Sequence, residues 1–335
     1  MDTTRDDPRQ PGAARPFEGL SPQRVIDAVE AAGFRCDGRV LALGSYENRV
    51  YQVGLEDDAP VVVKFYRPGR WSDAAILEEH AFEFELAAAE VPVVAPIECE
   101  GRTLFEHTGF RFAVFPRCGG RWPELGTAEE REWMGRFLGR MHAVAAAGAF
   151  RHRPVLSIQS WGTDAAHELL RGGFVAAHVE QRFEAAVDGL LALIEARFRE
   201  VGALRQLRLH GDCHRGNVLW TDAGPHFVDL DDAMTGPAVQ DLWMLLAGSA
   251  DEMQDQLQDL LRGYTRFASF ESRQARLIEA LRGLRLIHYN AWLARRWSDP
   301  AFPLAFPWFA EPAYWERFTA DLIEQAGRIE ETAWL

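Results

Sequence analysis

Apolar positions come in short alternating bursts over the first third of the chain and at helical spacing after it. Val61-Val62-Val63-Lys64-Phe65-Tyr66 is a β-branched strand pattern with one cation inside it. Two apolar segments over 40–53 flank Gly44-Ser45-Tyr46-Glu47-Asn48-Arg49, the pattern of a hairpin with a small-residue turn. Ser21-Pro22 opens a helix that Gly33 ends, and Ser72 caps a second that runs to about residue 90. Further strands are expected over 93–98, 103–106 and 110–115. Two prolines and Gly119-Gly120 then interrupt the pattern over 116–123. Beyond them, Thr127-Ala128-Glu129-Glu130 is a capping box leading into Trp133, Met134, Phe137, Leu138 and Met141 at helical spacing. Another helix is expected over 176–200. The stretch from 207 to 228 reads as strand, tight loop, strand, turn, strand. From Asp241 the chain is mostly helical, broken over 299–312. The resulting expectation is an α+β fold of two lobes: a flexible tail over 1–16, a small β-rich lobe over 17–116, a hinge over 117–123, and a larger helical lobe over 124–335.

Composition narrows the classes open to such a chain. Its 335 residues suffice for two lobes with a buried core. No apolar run approaches the ~20 residues that span a bilayer, and residues 1–16 lack the apolar stretch of a secretion signal. Cys36, Cys99, Cys118 and Cys213 are widely spaced and form no Cys-x-x-Cys pair, which suits reduced thiols in the cytoplasm. The net charge of −14 argues against nucleic acid as a partner and favours neutral or basic ones. No membrane partner is expected, and a monomer is.

The candidate chemistry sits between two apolar flanks, in His210-Gly211-Asp212-Cys213-His214-Arg215-Gly216-Asn217, with Val228-Asp229-Leu230-Asp231-Asp232 downstream. Phosphoryl transfer from ATP calls for a carboxylate that orients a hydroxyl, and for hard oxygen donors that hold Mg²⁺ against phosphates. Asp212 is the candidate general base, and Asn217 and Asp229 are the candidate metal ligands. His210 is expected to brace the loop. Zinc on His210, Cys213 and His214 lacks a fourth ligand at usable spacing. Asp231 and Asp232 are left open between a second metal and a loop-stabilising role. Lys64, a cation inside a valine run, must meet a carboxylate or phosphate oxygens. Glu79 on the following helix is the chosen partner, on the rim of a face set by Ile76, Leu77, Ala81 and Phe84, with Glu78 and Glu83 as alternatives. Backbone N–H groups over 44–46 and the Ser45 hydroxyl suit an anion. Phe112-Ala113-Val114-Phe115 offers apolar walls for an adenine ring. Asp241 is expected to cap a helix and to bond the 210–217 backbone. Trp292, Arg295, Arg296 and Trp297 are weighed as an acceptor groove, against plain packing.

These motifs resemble those of the aminoglycoside-phosphotransferase and choline-kinase branch of the protein-kinase-like superfamily, and within it the bacterial stress response kinase A family. The residues that carry the resemblance are Ser45-Tyr46-Glu47-Asn48-Arg49-Val50-Tyr51-Gln52, Val63-Lys64-Phe65-Tyr66-Arg67-Pro68 and Ile76-Leu77-Glu78-Glu79-His80. Beyond the hinge they lie over 209–220, 228–232, 236–244 and 292–300, with Phe306-Pro307-Trp308. The likeness runs from about residue 17 to about 327. It implies a bilobal kinase-like fold and ATP- and Mg²⁺-dependent phosphorylation of protein serine or threonine in the bacterial stress response. It further implies Asp212 as proton acceptor, Asn217 and Asp229 on magnesium, Lys64 steered by Glu79 onto the nucleotide, and Ser45 near the phosphates. Few residues separate Asp232 from Gly236-Pro237 and no Ala-Pro-Glu follows, so a long activation loop has no room. A small-molecule hydroxyl as acceptor is the alternative; a non-catalytic nucleotide-binding regulator is a more distant one.

Overall fold

A computed structural model of the chain describes residues 15–331 and Trp334. The tail expected over 1–16 lies, but for Arg15 and Pro16, outside the described residues. From residue 17 on the chain forms two compact units, one of 17–155 with 205–270, the other of 156–204 with the residues from 271 on.

The first unit opens with α1 (Pro22–Ala31), whose Ser21 hydroxyl accepts from the Arg24 N–H. Then follow β1 (Cys36–Leu43), β2 (Arg49–Leu55), β3 (Val61–Phe65), α2 (Asp73–Ala88), β4 (Phe105–His107), β5 (Phe110–Pro116) and α3 (Ala128–Ala145). The five strands make one antiparallel sheet in the order β1-β2-β3-β5-β4. The two-residue period of β3 divides its neighbours between two clusters. Val61, Val63 and Phe65 pack with Val25 and Val29 of α1 and with Phe105, Phe112 and Val114. On the other side Val62 joins Tyr66, Ile76, Ala113 and Phe115.

The strand expected over 93–98 does not form. Only isolated bridges occur there, Val93 with Phe227 and Cys99 with Arg102. Pro92 and Pro96 lack the N–H groups that a ladder needs. The expected apolar face of α2 is also corrected: Leu77 and Phe84 are exposed, while Ile76, Glu79, His80, Glu83 and Leu86 are buried. Three polar residues occupy the inward face, so hydrophobicity alone points the helix the wrong way.

The first unit resumes with β6 (Leu207–Leu209), β7 (Val218–Thr221), β8 (Gly224–Phe227), β9 (Met234–Gly236), α6 (Val239–Trp243) and α7 (Ala250–Tyr264). Helices α3 and α7 meet backbone to backbone. A Cβ at Gly135 would stand 2.0 Å from the Leu260 carbonyl oxygen, and one at Gly139 2.4 Å from that of Tyr264. The capping box at Thr127 forms, as its spacing predicts.

The second unit is helical, with α4 (Asp164–Arg171), α5 (Glu180–Val201), α8 (Ile278–Arg296), α9 (Ala301–Ala305) and α10 (Pro312–Glu331). A π-helical turn, Gln159–Thr163, leads into α4. Phe183, Trp315 and Phe318 join Phe174, Trp297 and Phe309 in one aromatic cluster in its core, linked through Phe309 and Trp315 at 5.2 Å between ring centroids. Trp297 is therefore core and lines no groove; Arg295 pairs with Glu168 at 2.7 Å. No helix among the described residues is long and apolar enough to cross a membrane.

Candidate active site

The site is built in the first unit where two short antiparallel pairs interlock. β6 pairs with β9, and the loop 210–217 and the hairpin β7–β8 lie between them in sequence. The hairpin register sets Val218 against Phe227, and the Val228 N–H donates to the Asn217 carbonyl at 3.1 Å. Asn217 thus sits beside the residue that precedes Asp229. Gly211, at φ +86°, touches the turn after Asp229: a Cβ there would stand 2.1 Å from the Asp232 carbonyl oxygen. Only glycine meets both demands, the left-handed backbone and the close approach.

Asp241 organises this loop from below. It lies inside α6 and does not cap it; its two carboxylate oxygens accept from the N–H groups of His210 and Gly211, each at 2.9 Å. His142 on α3 meets the same carboxylate at 3.1 Å, and its other ring nitrogen meets the Tyr264 hydroxyl at 3.0 Å. His210, buried, reaches the Val228 carbonyl through Nε2 at 3.0 Å, the bracing role expected of it.

Above this frame the side chains converge. The Asp212 carboxylate has the Asn217 amide nitrogen at 3.5 Å and His214 Nε2 at 3.4 Å. His214 Nδ1 accepts from the Gly216 N–H at 2.9 Å, which leaves the ring proton on Nε2, facing Asp212. Asn217 Nδ2 also donates to the Asp212 carbonyl at 3.0 Å, so its amide oxygen faces the other way. Asp229 takes a left-handed backbone at φ +61° and presents a carboxylate that is 51% exposed. An amide oxygen and an exposed carboxylate, adjacent through the hairpin, are the hard donor set that suits Mg²⁺. Among the described residues no cluster of three or more His, Cys, Asp or Glu side chains forms a metal cage.

Lys64 enters from β3. Its ammonium is 3.0 Å from Glu79, 3.6 Å from Asp229 and 3.8 Å from Asp231. Burial works against the charge, but Glu79 and the two aspartates outweigh it and hold the Lys64 pKa well above its ordinary value. Of the three carboxylates on α2 weighed as its partner, Glu79 is the one that reaches it. Glu78 instead accepts from the backbone N–H groups of residues 151–153 at 2.6 to 3.0 Å. Glu83 is buried, and burial first and the Glu79 charge second push its carboxyl well up. Behind Lys64, the Tyr66 hydroxyl meets His80 at 2.7 Å and His80 meets the Thr103 hydroxyl at 2.8 Å. Burial and then the Lys64 charge lower the His80 pKa to about 3.

Asp231 and Asp232 hold the turn together. Asp231 is buried; Asn48 donates to it at 3.0 Å and Arg70 forms an ion pair with it. Burial would raise its pKa, but Arg70, Lys64 and Arg153 hold it at about 2. Asp232 also binds Arg70. Sequence reasoning missed Asn48, Arg70, Arg153 and His142. Arg70 sits in Arg67-Pro68-Gly69-Arg70-Trp71, where proline and glycine signal only a turn; Asn48 lies in the Ser45–Arg49 segment, which signals a turn but not its long-range partner, and nothing local marks Arg153 or His142.

A fold of this kind, with a lysine–carboxylate pair facing an Asp, Asn and Asp set on two linked loops, is that of a phosphotransferase. The sequence matches the phosphotransferase enzyme family over residues 39–278. It is 47% identical to stress response kinase A of Escherichia coli (strain K12), over 94% of this chain and 95% of that protein. It is 44% identical, with the same coverage, to the serine/threonine protein kinase RdoA of Salmonella typhimurium (strain LT2). Among solved structures, an amicoumacin kinase in complex with AMP-PNP, Ca²⁺ and Ami superposes with a TM-score of 0.69 at 19% identity, covering 93% of this chain and 94% of that one. A spectinomycin phosphotransferase in complex with ADP and spectinomycin gives 0.66 at 14% identity, covering 92% and 98%. The chain belongs to the phosphotransferase enzyme family and, within it, to the stress response kinase A family.

Proposed function

We propose that this phosphotransferase is an ATP- and Mg²⁺-dependent serine/threonine protein kinase of the bacterial stress response, acting in the cytoplasm. The observation that carries the reading is the convergence of Asp212, Asn217 and Asp229 with the buried Lys64–Glu79 pair in one site. Asp212 orients the acceptor hydroxyl and takes its proton as the bond to phosphorus forms. Its position matters more than its basicity, because the transition state is loose. His214 Nε2 lies 3.4 Å from one Asp212 oxygen, close enough to help orient the carboxylate. Asn217 and Asp229 hold Mg²⁺, which when bound neutralises charge on the transferring phosphates. Lys64 binds the α/β-phosphates, and Glu79 keeps its ammonium aimed and charged. Ser45 and the N–H groups over 44–46 cover the phosphates, and Ala113 and Phe115, on the Lys64 face of the sheet, flank the adenine, while Phe112 and Val114 face the α1 core.

The name of one relative, the serine/threonine protein kinase RdoA at 44% identity, supports a protein acceptor. One observation favours the second reading, a small-molecule hydroxyl. Only residues 233–235 separate Asp232 from Gly236, and they belong largely to β9, which leaves no extended segment for a peptide to lie on. Incubation with γ-labelled ATP and Mg²⁺, alone, with basic protein substrates, and with a panel of amino alcohols and aminoglycosides decides between them. The proposal expects label on protein serine or threonine; label confined to small molecules sinks the protein-kinase reading and leaves the phosphotransferase standing.

A further inference from the structure

The turn that carries Asp229 is gripped by two arginines, and neither belongs to a segment that follows it. Arg70, two residues before the Ser72 cap hydroxyl that accepts from the Ala75 N–H, spreads its terminal nitrogens over the carboxylates of Asp231 and Asp232. Its Nε lies 3.7 Å from Glu47 in the loop between β1 and β2. Arg153 takes the backbone of the same turn. Its Nε donates to the Ala233 carbonyl at 2.8 Å, a terminal nitrogen donates to the Asp231 carbonyl, and the other lies 3.5 Å from Glu79. Both guanidinium groups lie over Trp71, at 4.1 Å for Arg153 and 5.1 Å for Arg70. Residues 151–153 are themselves pinned through the three N–H groups that Glu78 accepts.

Such a clasp has work to do. A left-handed backbone at a non-glycine residue is strained and persists only where its surroundings over-determine it. Asp229 is such a residue, and the clamped turn Leu230–Asp232 follows it directly. Kinases with a long activation segment order this region by modifying that segment; here β9 begins at Met234.

We propose that Arg70 and Arg153, backed by Trp71, are positioning residues that hold the Asp229 turn ready for the metal and nucleotide, so that no modified activation segment is needed. This rests on the reading of Asn217 and Asp229 as the metal donors. Arginine suits the task because its planar fork spans two carboxylates at once, which a lysine ammonium does not reproduce.

The test measures ADP binding with and without Mg²⁺ by titration calorimetry, with melting temperature recorded alongside. The variants are Arg70→Met, Arg70→Lys and Arg70→Met/Asp231→Asn. The wild type is expected to bind ADP more tightly with Mg²⁺ than without. In each variant the ratio of the two dissociation constants should fall about tenfold, the size of effect that loss of outer-shell support for a metal site usually has, while affinity for ADP alone stays within about twofold. The double variant removes the buried Asp231 charge together with Arg70 and leaves only the half-exposed Asp232 without it, so it should melt near the wild type and still lose the metal-dependent gain. A folded variant that keeps the wild-type ratio overturns the clasp. Equal losses with and without Mg²⁺ overturn it too, because they report general damage. If the wild type itself shows no gain from Mg²⁺, the metal-donor reading falls and the clasp with it.

Discussion

Asp212 and Gly211 are neighbours with different kinds of indispensability. Replacing Asp212 by alanine removes the proposed proton acceptor but leaves Lys64, Glu79 and Asp229 in place. Phosphoryl transfer should fall roughly 10²- to 10⁴-fold while nucleotide affinity changes little; undiminished transfer would refute the assignment. Gly211→Ala removes no functional group. Its Cβ would collide with the Asp232 carbonyl at 2.1 Å, so the turn carrying Asp229 must move. A loss of transfer in a variant that still melts as a folded protein is the expected result. His80 offers a prediction in pH. Its folded pKa of about 3 lies below the unfolded value of about 6.5, so the unfolded chain binds the extra proton between those limits. Stability therefore falls as pH falls through that window, and His80 alone takes away about 2 kcal/mol between pH 7 and pH 5. In His80→Gln, chemical denaturation at the two pH values should show that much less loss.

At the scale of elements, α3 and α7 support the 210–217 loop from behind. Their glycines let the backbones touch, and each helix sends one side chain, His142 and Tyr264, toward Asp241. Gly139→Ala introduces a methyl group 2.4 Å from the Tyr264 carbonyl oxygen, a backbone atom that cannot swing aside. Overpacking of this kind costs about 1–3 kcal/mol, readable as a lower urea midpoint. Helix α2 shows why pattern reading failed locally. The face it turns inward carries Glu79, His80 and Glu83, so an apolar-stripe search selects Leu77 and Phe84, which are exposed. By contrast, the Val61 to Phe65 strand, the capping box at Thr127 and the helix starting at Pro22 were all legible, because each depends on spacing within one segment.

For the molecule as a whole, the net charge of −14 bears on the acceptor. If the substrate is a basic protein, kcat/KM should drop as ionic strength rises from about 10 mM to 150 mM, over which the Debye length shrinks from about 30 Å to 8 Å. A salt-insensitive rate on a basic protein would argue that charge plays no part in its capture. The same assay with the metal chelated should show no transfer, because Lys64 alone would be left to offset the phosphate charge and the proposed donor Asp229 would add a negative charge beside it.

What the sequence determined by itself was placement within short segments: the candidates Asp212, Asn217 and Asp229 lie within eighteen residues, and local strands and turns fix their order. The partner of Lys64 was narrowed to three glutamates and no further, since the choice depends on which way α2 rolls against the sheet. Tertiary structure alone decided that Asp231 is buried, that Asn48 and Arg70 reach it across more than 150 residues, and that Arg153 closes the other side. Pairings over such distances leave no periodic trace, because packing selects the partner and the chain's local geometry does not.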